Sequence, residues 1–409
     1  MRDRPGRTAR IVCSVVTGGV ERRISRARIA VAAMFLTNGA IFTNLAPRFP
    51  ELKGELALSN TEYGVVVAAF PVGALVAGLA AGAIIRRLTS ARTAVLCTIG
   101  LALSVFAAAS APTPVLLAAL LFAGGLFDAV TDVAQNAHGL RVQRLYGRSI
   151  INSLHAVWSA GALLGAGMAA LAIAMHVPIA IHLGVSAAVF IGVAVAAYPF
   201  LLKGSDEAEH PAAVAGAAGW TWRVGVALLL LVVIAMGGAI VEDAGSSWAA
   251  LYLGSGVGAV GAVTALGYVA LLGFQFIGRV TGDRLVDRFG ERAVTRGGGL
   301  VVATGMGLAL AFPSVPGTIA GFAAAGLGAA TVIPAAMHGA DRLPGLRAGT
   351  GLAALAWLMR IAFVVAPPLV GVIADATSLR VGLLIVPIGG LAIAAAAGVL
   401  SGPRRPVRS

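Results

Sequence analysis

The chain has 409 residues, of which 58% are hydrophobic and only 11% are charged, and its formal net charge is +13. So little charge excludes a soluble globular protein of this length. The positive net charge does not indicate a nucleic-acid-binding protein, because Arg and Lys occur in short segments between apolar runs, without interleaved aromatic residues and without a soluble domain that could hold a duplex.

Residues 1–28 contain eight arginines and are predicted to form a basic cytoplasmic tail, the alternative being an over-extended start of translation. Beyond them, apolar stretches of roughly 20 residues recur along the chain, which is the length that a helix needs to cross a bilayer. They predict an all-α integral membrane protein with twelve transmembrane helices. The predicted spans are 29–47, 63–85, 93–111, 115–139, 149–173, 179–202, 223–244, 259–281, 294–312, 317–337, 349–374 and 380–400.

The spans divide into two groups of six. The longest polar connection, residues 203–222, is predicted to be a cytoplasmic linker between two six-helix bundles, 29–202 and 223–400, and residues 401–409 a second cytoplasmic tail. The bundles resemble each other at a spacing of about 200 residues, most clearly in the pairs His138-Gly139 with His338-Gly339 and Trp158 with Trp357. Parallel repeats of six helices are typical of transporters whose two pseudo-symmetric halves surround a site at the membrane midplane.

The orientation follows from the basic residues. Nearly all of the 30 Arg and Lys residues lie in alternate connections, which the positive-inside rule assigns to the cytoplasm. We therefore expect both termini in the cytoplasm. The largest internal basic cluster is assigned to the cytoplasmic end of the eighth span and the connection after it: Arg279, Arg284, Arg288, Arg292 and Arg296.

The fourth span carries Asp128, Asp132 and Asn136, which a spacing of four residues places on one helical face. Carboxylates at membrane depth are costly, so they usually face a bundle interior or a watery cavity and have a function. The alternative is that Asp132 and Asn136 only mark the cytoplasmic end of the helix. His155, on the fifth span, is either part of a proton relay with an aspartate or a buried packing histidine.

Arg360 lies near the middle of the eleventh span and is the costliest residue in the chain by position. It requires a carboxylate partner, for which Asp128, Asp132 and Glu242 are candidates, or an anionic substrate. A structural pair between the halves and a substrate contact are both open.

At the end of the seventh span, Glu242 and Asp243 are interpreted first as an interfacial cap and second as an extracellular gate. Gln275 on the eighth span and Trp357 on the eleventh are candidates for lining a central cavity.

The strongest motif follows the eighth span and reads Gly282-Asp283-Arg284-Leu285-Val286-Asp287-Arg288-Phe289-Gly290-Glu291-Arg292. It resembles the signature loop of the major facilitator superfamily, whose members close their cytoplasmic side with this loop. The resemblance implies a cytoplasmic gate made by Asp287, Arg288, Gly290 and Arg292. The corresponding segment after the second span, residues 86–92, has neither the Asp nor the Gly, so the gate of the first half departs from the family pattern.

The pattern Asp132-Val133-Ala134-Gln135-Asn136 is similar to the helix 4 motif of the fucose–proton symporter branch of this superfamily. The resemblance implies that Asp132 binds protons or substrate, with Asn136 as its hydrogen-bonding partner. That branch pairs the carboxylate with an acid on the first helix, where this chain offers Asn38 and Asn44. Asp128 then supplies the second carboxylate, or one carboxylate suffices, or coupling is absent.

No phosphate-binding loop or nucleophile–base pair is present, and Cys13 and Cys97 indicate neither disulfide nor metal site, so we expect no enzyme, no cofactor and no metal. We expect a monomeric secondary transporter in the lipid bilayer of the bacterial inner membrane that moves a small-molecule substrate by alternating access. The expected coupling ion is the proton, handled by Asp132 and Asp128 with His155 assisting. The resemblance favours uptake of a sugar-like solute. Alternatives are proton-antiport efflux of a hydrophobic compound and a non-transporting membrane sensor or scaffold.

Overall fold

The computed structural model describes residues 7–204, 221–343, 346 and 350–400. Within them the secondary structure is helical without a strand, and twelve helices are long and apolar enough to cross a membrane. The expected all-α membrane fold is therefore confirmed. The linker predicted at 203–222 falls largely outside the described residues, and the tail predicted at 401–409 falls wholly outside them.

The twelve helices are labelled α1 to α12 in chain order. The first six are α1 (Arg7–Leu45), α2 (Asn60–Leu88), α3 (Ser90–Ala108), α4 (Pro114–Tyr146), α5 (Ile151–Ala174) and α6 (Ile179–Ala197). The second six are α7 (Trp222–Asp243), α8 (Leu266–Phe289), α9 (Glu291–Ala311), α10 (Val315–Ala329 and Val332–Asp341), α11 (Thr350–Ala376) and α12 (Leu379–Gly382 and Ile385–Ala396). Further helical turns extend α1 through Glu55 and α7 through Gly256, and a short turn, Gly261–Ala265, precedes α8.

Local signals at both ends set the length of α4. The Thr113 hydroxyl accepts a hydrogen bond from the Leu116 N–H (3.2 Å), and Pro114 occupies the first helical position, where a missing N–H costs nothing. Gly147 ends the helix in a left-handed conformation (φ +71°). The helix therefore runs beyond the predicted limit of 139, because hydropathy marks the apolar part of a helix and not its polar last turns.

The repeated His-Gly pairs make equivalent contacts in the two halves. His138 on α4 hydrogen-bonds through Nδ1 to the Ser90 hydroxyl at the start of α3 (2.9 Å). His338 on α10 approaches Glu291 at the start of α9 (3.4 Å between Nε2 and Oε1). In each half the histidine thus ties the end of one helix to the beginning of its neighbour.

The turns before α3 and α9 also share one backbone conformation. Gly290 has φ +82° and ψ 155°, and its N–H bonds to the Val286 carbonyl (2.8 Å). Thr89 has φ +73° and ψ 153°, and its N–H bonds to the Ile85 carbonyl (2.8 Å). The first half therefore retains the turn of the gate motif although it lacks the glycine, in a region that a β-branched residue rarely occupies.

Glycines bring α1 and α5 into backbone contact. A Cβ at Gly39 would overlap the Trp158 carbonyl oxygen, and a Cβ at Gly165 would overlap the Ala40 carbonyl oxygen. Only small residues permit so close an approach of two membrane helices. This contact places Trp158 of α5 directly beside α1.

The two halves meet through α2 with α11 and through α5 with α8. At the Asp375 end of α11 the contact is polar: Asp375 accepts hydrogen bonds from the backbone N–H groups of Asn60 (3.0 Å) and Thr61 (2.7 Å) and from their side chains. Nearby, Tyr63 donates to the Ser247 carbonyl of α7 (2.5 Å) and packs edge-on against Trp248. These contacts define the closed end of the molecule.

Candidate functional site

Asp128 of α4 lies in a network of neutral side chains from three helices. Asn38 of α1 donates through Nδ2 to Asp128 Oδ1 (2.8 Å). The Asn38 Oδ1 atom accepts from Trp158 Nε1 (2.9 Å) and from Gln135 Nε2 (3.2 Å). The structure thus joins the predicted residues Asn38 and Asp128 and adds Trp158 and Gln135, for which the sequence predicts no role in a site.

The second carboxylate of α4 is linked to the predicted histidine through an amide. Asn136 donates through Nδ2 to Asp132 Oδ1 (3.0 Å), one helical turn away. His155 Nε2 lies 3.1 Å from Asn136 Oδ1, and the His155 ring is exposed. Because the Asn136 amide directs its NH₂ group to Asp132, its oxygen faces His155, which must then donate. His155 therefore reaches Asp132 indirectly, and it is not a buried packing residue.

An ion pair in the second half faces this network. Arg279 of α8 lies 3.2 Å from Glu242 of α7 (Nη2 to Oε1), and Gln275, one turn before Arg279, also donates to Glu242 Oε1 (2.5 Å). Arg279 reaches across the boundary between the halves, because Nη1 donates to the Ser159 hydroxyl of α5 (2.8 Å). The guanidinium carbon lies 6.0 Å from the centre of the Trp158 ring, at the limit of a cation–π contact.

The expected positions of Arg279 and Glu242 need correction. Arg279 was assigned to the cytoplasmic end of its span, but α8 continues to Phe289 and carries Arg279 within the helix. Glu242 was expected at the outer end of its helix, but the helical turns continue to Gly256. The sequence does indicate that Arg279 faces the cavity. It follows the predicted cavity residue Gln275 by four positions and so lies on the same face of the helix.

Asp243 follows Glu242 directly in the helix, so its side chain points to a different side of the helix, toward the closed end. Its side chain is buried, and Oδ1 accepts from the Ser247 hydroxyl (3.0 Å). The Ser247 carbonyl in turn receives the Tyr63 hydroxyl. Asp243 therefore supports the contact between the halves through Ser247. Neither Glu242 nor Asp243 lies at the end of the helical segment, which continues to Gly256.

Arg360 of α11 forms no hydrogen bond or ion pair with a carboxylate among the described residues. Its guanidinium lies against α2, where a Cβ added to Gly78 would come 2.9 Å from Nη1, and it interacts electrostatically with Asp132. Trp357, one turn before Arg360, is 49% exposed. Arg360 is thus near the predicted partner Asp132 without bonding to it.

The predicted gate loop makes no ion pair between the halves among the described residues. Asp287 and Arg288 are exposed in the last turn of α8. Arg292 donates through Nε to the Leu400 carbonyl of its own half (3.0 Å). Described His, Cys, Asp and Glu side chains form no cluster suited to a metal ion.

Comparison with known proteins identifies the family of this chain. No protein-family model matches the chain. The chain is 31% identical over 381 residues to the uncharacterized transporter y4wD of Sinorhizobium fredii, a match that covers 93% of this chain and 99% of that protein. It is 25% identical over 382 residues to an uncharacterized MFS-type transporter of Yersinia pestis, covering 93% of this chain and 96% of that protein.

A solved structure agrees with this result at the level of the fold. The crystal structure of a D-xylose-proton symporter superposes with a TM-score of 0.72 at 15% sequence identity, over 93% of this chain and 98% of that chain. Its fold is that of the described helices, and the relatives are transporters rather than enzymes. The chain therefore belongs to the MFS-type transporters, the major facilitator superfamily.

Proposed function

We propose that this protein is a proton-coupled secondary transporter that takes up a small, sugar-like solute across the inner membrane of a bacterium, with both termini in the cytoplasm. The observation that carries the proposal is the polar arrangement at the boundary between the halves. Asp128 and Asp132 lie on one side, Glu242 and Arg279 on the other, and the Arg279–Ser159 hydrogen bond joins the two sides.

Proton coupling is supported by the partners of the two aspartates. Asp128 accepts from Asn38 and Asp132 accepts from Asn136, and neither forms a salt bridge within the described part of the chain. Each carboxylate can therefore exchange a proton without the loss of an ion pair. Intramembrane carboxylates with such partners are typical of proton relays in transporters.

Alternating access is supported by the unequal ends of the molecule. The Asp375 contact and the Tyr63–Ser247 contact join the halves at one end, which the positive-inside pattern assigns to the outside. At the other end, Asp287 and Arg288 are exposed. We therefore assign the described conformation to the inward-facing state and propose that Asp287, Arg288, Gly290 and Arg292 close the inner side in the opposite state.

The substrate class is supported by the groups that line the boundary. Amide, hydroxyl, indole and carboxylate groups occur together there, as at sites that bind polyhydroxylated ligands through a few well-placed polar contacts. The fold is shared with a D-xylose-proton symporter, and the Asp132–Asn136 pattern resembles the fucose–proton branch. Both considerations favour a sugar-like solute.

The test is solute-induced alkalinisation outside proteoliposomes that contain the purified protein, with sugars and common drugs as solutes. We expect alkalinisation with a sugar-like solute for the wild type and its loss in Asp128→Asn or Asp132→Asn, which preserve side-chain shape. Uncoupled flux in the wild type would refute proton coupling. Acidification with a hydrophobic compound would indicate antiport, and no flux for any solute would favour a sensor or scaffold.

A further inference from the structure

Asn38 occupies the junction between Asp128 and its surroundings, and its amide has one permitted orientation. The indole N–H of Trp158 can only donate a hydrogen bond, so the group that receives it must be the Asn38 oxygen (2.9 Å). The Asn38 NH₂ group must then point away from Trp158, toward Asp128 Oδ1 (2.8 Å). Trp158 therefore determines that Asp128 faces a donor rather than an acceptor.

The consequence concerns the proton on Asp128. A donor at 2.8 Å stabilises the ionised carboxylate, whereas an acceptor in its place would stabilise the protonated acid, which needs a partner for its O–H group. Without the indole N–H, only the longer bond from Gln135 (3.2 Å) would hold the Asn38 amide in this orientation. The amide could then turn and present its oxygen to Asp128.

The position of Trp158 is itself held by backbone packing. Gly39 follows Asn38 directly, and a Cβ at Gly39 would overlap the Trp158 carbonyl oxygen. The close approach of α1 and α5 thus brings the indole N–H and the Asn38 amide together. On its other side the indole lies beside Arg279, whose guanidinium carbon is 6.0 Å from the ring centre.

The other charged groups around Asp128 are few and can be controlled for. Asp132 lies one turn along α4, with His155 of α5 linked to it through Asn136. Arg279 of α8 lies beyond the indole ring, and Arg360 of α11 interacts with Asp132. The α2 residues that pack against α4 at this level, Ala77 and Ala81, are apolar. None of these groups forms a hydrogen bond with Asn38 within the described part of the chain.

From this geometry we infer that Trp158 is a positioning residue that sets the proton affinity of Asp128 through the amide of Asn38. The inference rests on the proposed function, in which Asp128 carries a coupled proton. It assigns a role to the first-half tryptophan of the repeated pair, Trp158.

The test needs no substrate. The carboxylic C=O stretch of the purified protein in lipid is followed by infrared difference spectroscopy as the pH changes, and Asp128→Asn identifies the contribution of Asp128. We expect Trp158→Phe, which keeps a ring and removes the N–H, to shift that titration to higher pH by about one unit, a ten-fold gain in proton affinity. Trp222→Phe is the matched control, because Trp222 is 73% exposed and is not among the hydrogen-bond partners of Asn38. It should not shift the titration.

A double-mutant cycle protects the test against simple misfolding. Asn38→Leu should shift the titration in the same direction. The double variant, Asn38→Leu with Trp158→Phe, should shift it no further than Asn38→Leu alone, because Trp158 acts only through Asn38. An unshifted titration in Trp158→Phe, or additive shifts in the double variant, would overturn the inference. A spectrum in which Asp128→Asn removes no titrating band would instead refute the proposed role of Asp128 in proton coupling.

Discussion

Arg279 Nη2 lies 3.2 Å from Glu242 Oε1, although the distribution of charges along the sequence assigns these residues to opposite sides of the membrane. They meet because α7 continues in helical turns to Gly256 and α8 continues to Phe289, so both residues lie within helices. The Arg279 side chain is 33% exposed and the Glu242 side chain is 28% exposed. The pair therefore lies in a partly accessible space at the boundary between the halves, where the Arg279–Ser159 bond connects them.

We expect Glu242→Gln to reduce solute flux at least ten-fold with little effect on folding. A hydrogen bond to a charged group contributes about 1.5–3 kcal/mol, which corresponds to ten-fold or more if it is needed during transport. An ion pair that is partly exposed contributes only about 1 kcal/mol to stability. Flux in proteoliposomes and thermal unfolding in detergent, measured together, check this. Unchanged flux would show that the pair is structural only.

The closed end can be weakened by Asp375→Ala, which removes all four acceptor contacts to Asn60 and Thr61. One helix cap contributes about 1 kcal/mol, so we expect the outward-open population to rise about five-fold. The measurement is labelling of a Ser247→Cys reporter by a membrane-impermeant thiol reagent, in a protein whose Cys13 and Cys97 are replaced by serine.

The control for this experiment is Glu62→Gln. Glu62 accepts from the Ser59 N–H and hydroxyl within the first half and has no hydrogen bond to Asp375. Glu62→Gln should therefore leave the Ser247→Cys reporter labelled at the wild-type rate. Equal labelling in Asp375→Ala and wild type would show that the Asp375 contact does not hold the halves together.

For His155 we expect a donor role, so that His155→Gln keeps most of the solute flux and His155→Leu lowers it about five-fold, the effect of one hydrogen bond of about 1 kcal/mol. The reason is that Asn136 presents its oxygen to His155 and its NH₂ group to Asp132. Initial rates across a pH series distinguish the roles. If glutamine and leucine are equally harmful, His155 transfers the proton itself.

Thr89→Gly should stabilise the protein. Thr89 has φ +73° and ψ 153°, a conformation essentially confined to glycine that costs about 1–3 kcal/mol for other residues. Part of this gain is lost to the greater freedom of glycine in the unfolded chain, about 0.5–1 kcal/mol. We therefore expect the free energy of unfolding to increase by about 1 kcal/mol, which raises the Tm. Gly290→Thr in the second half should have the opposite effect, and a lower Tm for Thr89→Gly would contradict the assigned strain.

The contact between α1 and α5 is tested by two glycines of the same helix. At Gly165 a Cβ would overlap the Ala40 carbonyl oxygen, whereas at Gly167 it would meet nothing within 4 Å. We expect Gly165→Ala to destabilise the protein by about 1–3 kcal/mol through overpacking. Gly167→Ala should be neutral or stabilising by up to about 1 kcal/mol, because alanine favours the helix. Equal Tm values for the two variants would argue against the contact.

Local patterns allowed part of the site to be predicted from the sequence. Asp128, Asp132 and Asn136 were expected on one face because they lie one turn apart on the same helix, and the Asn136–Asp132 bond follows that spacing. The partner of Asp128 could not be predicted in this way. Asn38 lies 90 residues away on α1, and its approach depends on how α1 rotates against α4 and α5.

The two misplaced features, Arg279 and the end of α7, have a common physical origin. The positive-inside rule assigns an arginine by its place in the sequence, so it could not separate Arg279, which pairs inside the molecule, from Arg284 and Arg288, which are exposed. The end of α7 was misplaced for a related reason. Hydropathy does not mark the end of a helix whose polar turns, such as those after Asp243, are buried by the other half.

The sequence by itself determined the number and character of the helices, their repeat and the carboxylates of α4, because these depend on contacts with lipid and on the period of a single helix. Only the tertiary structure decided which polar groups meet: Asn38 with Asp128, Glu242 with Arg279, and Asp375 with the start of α2. These pairs depend on the rotation and depth at which helices pack. Backbone approaches such as Gly39 to Trp158 set both quantities, and they exist only when the helices have assembled.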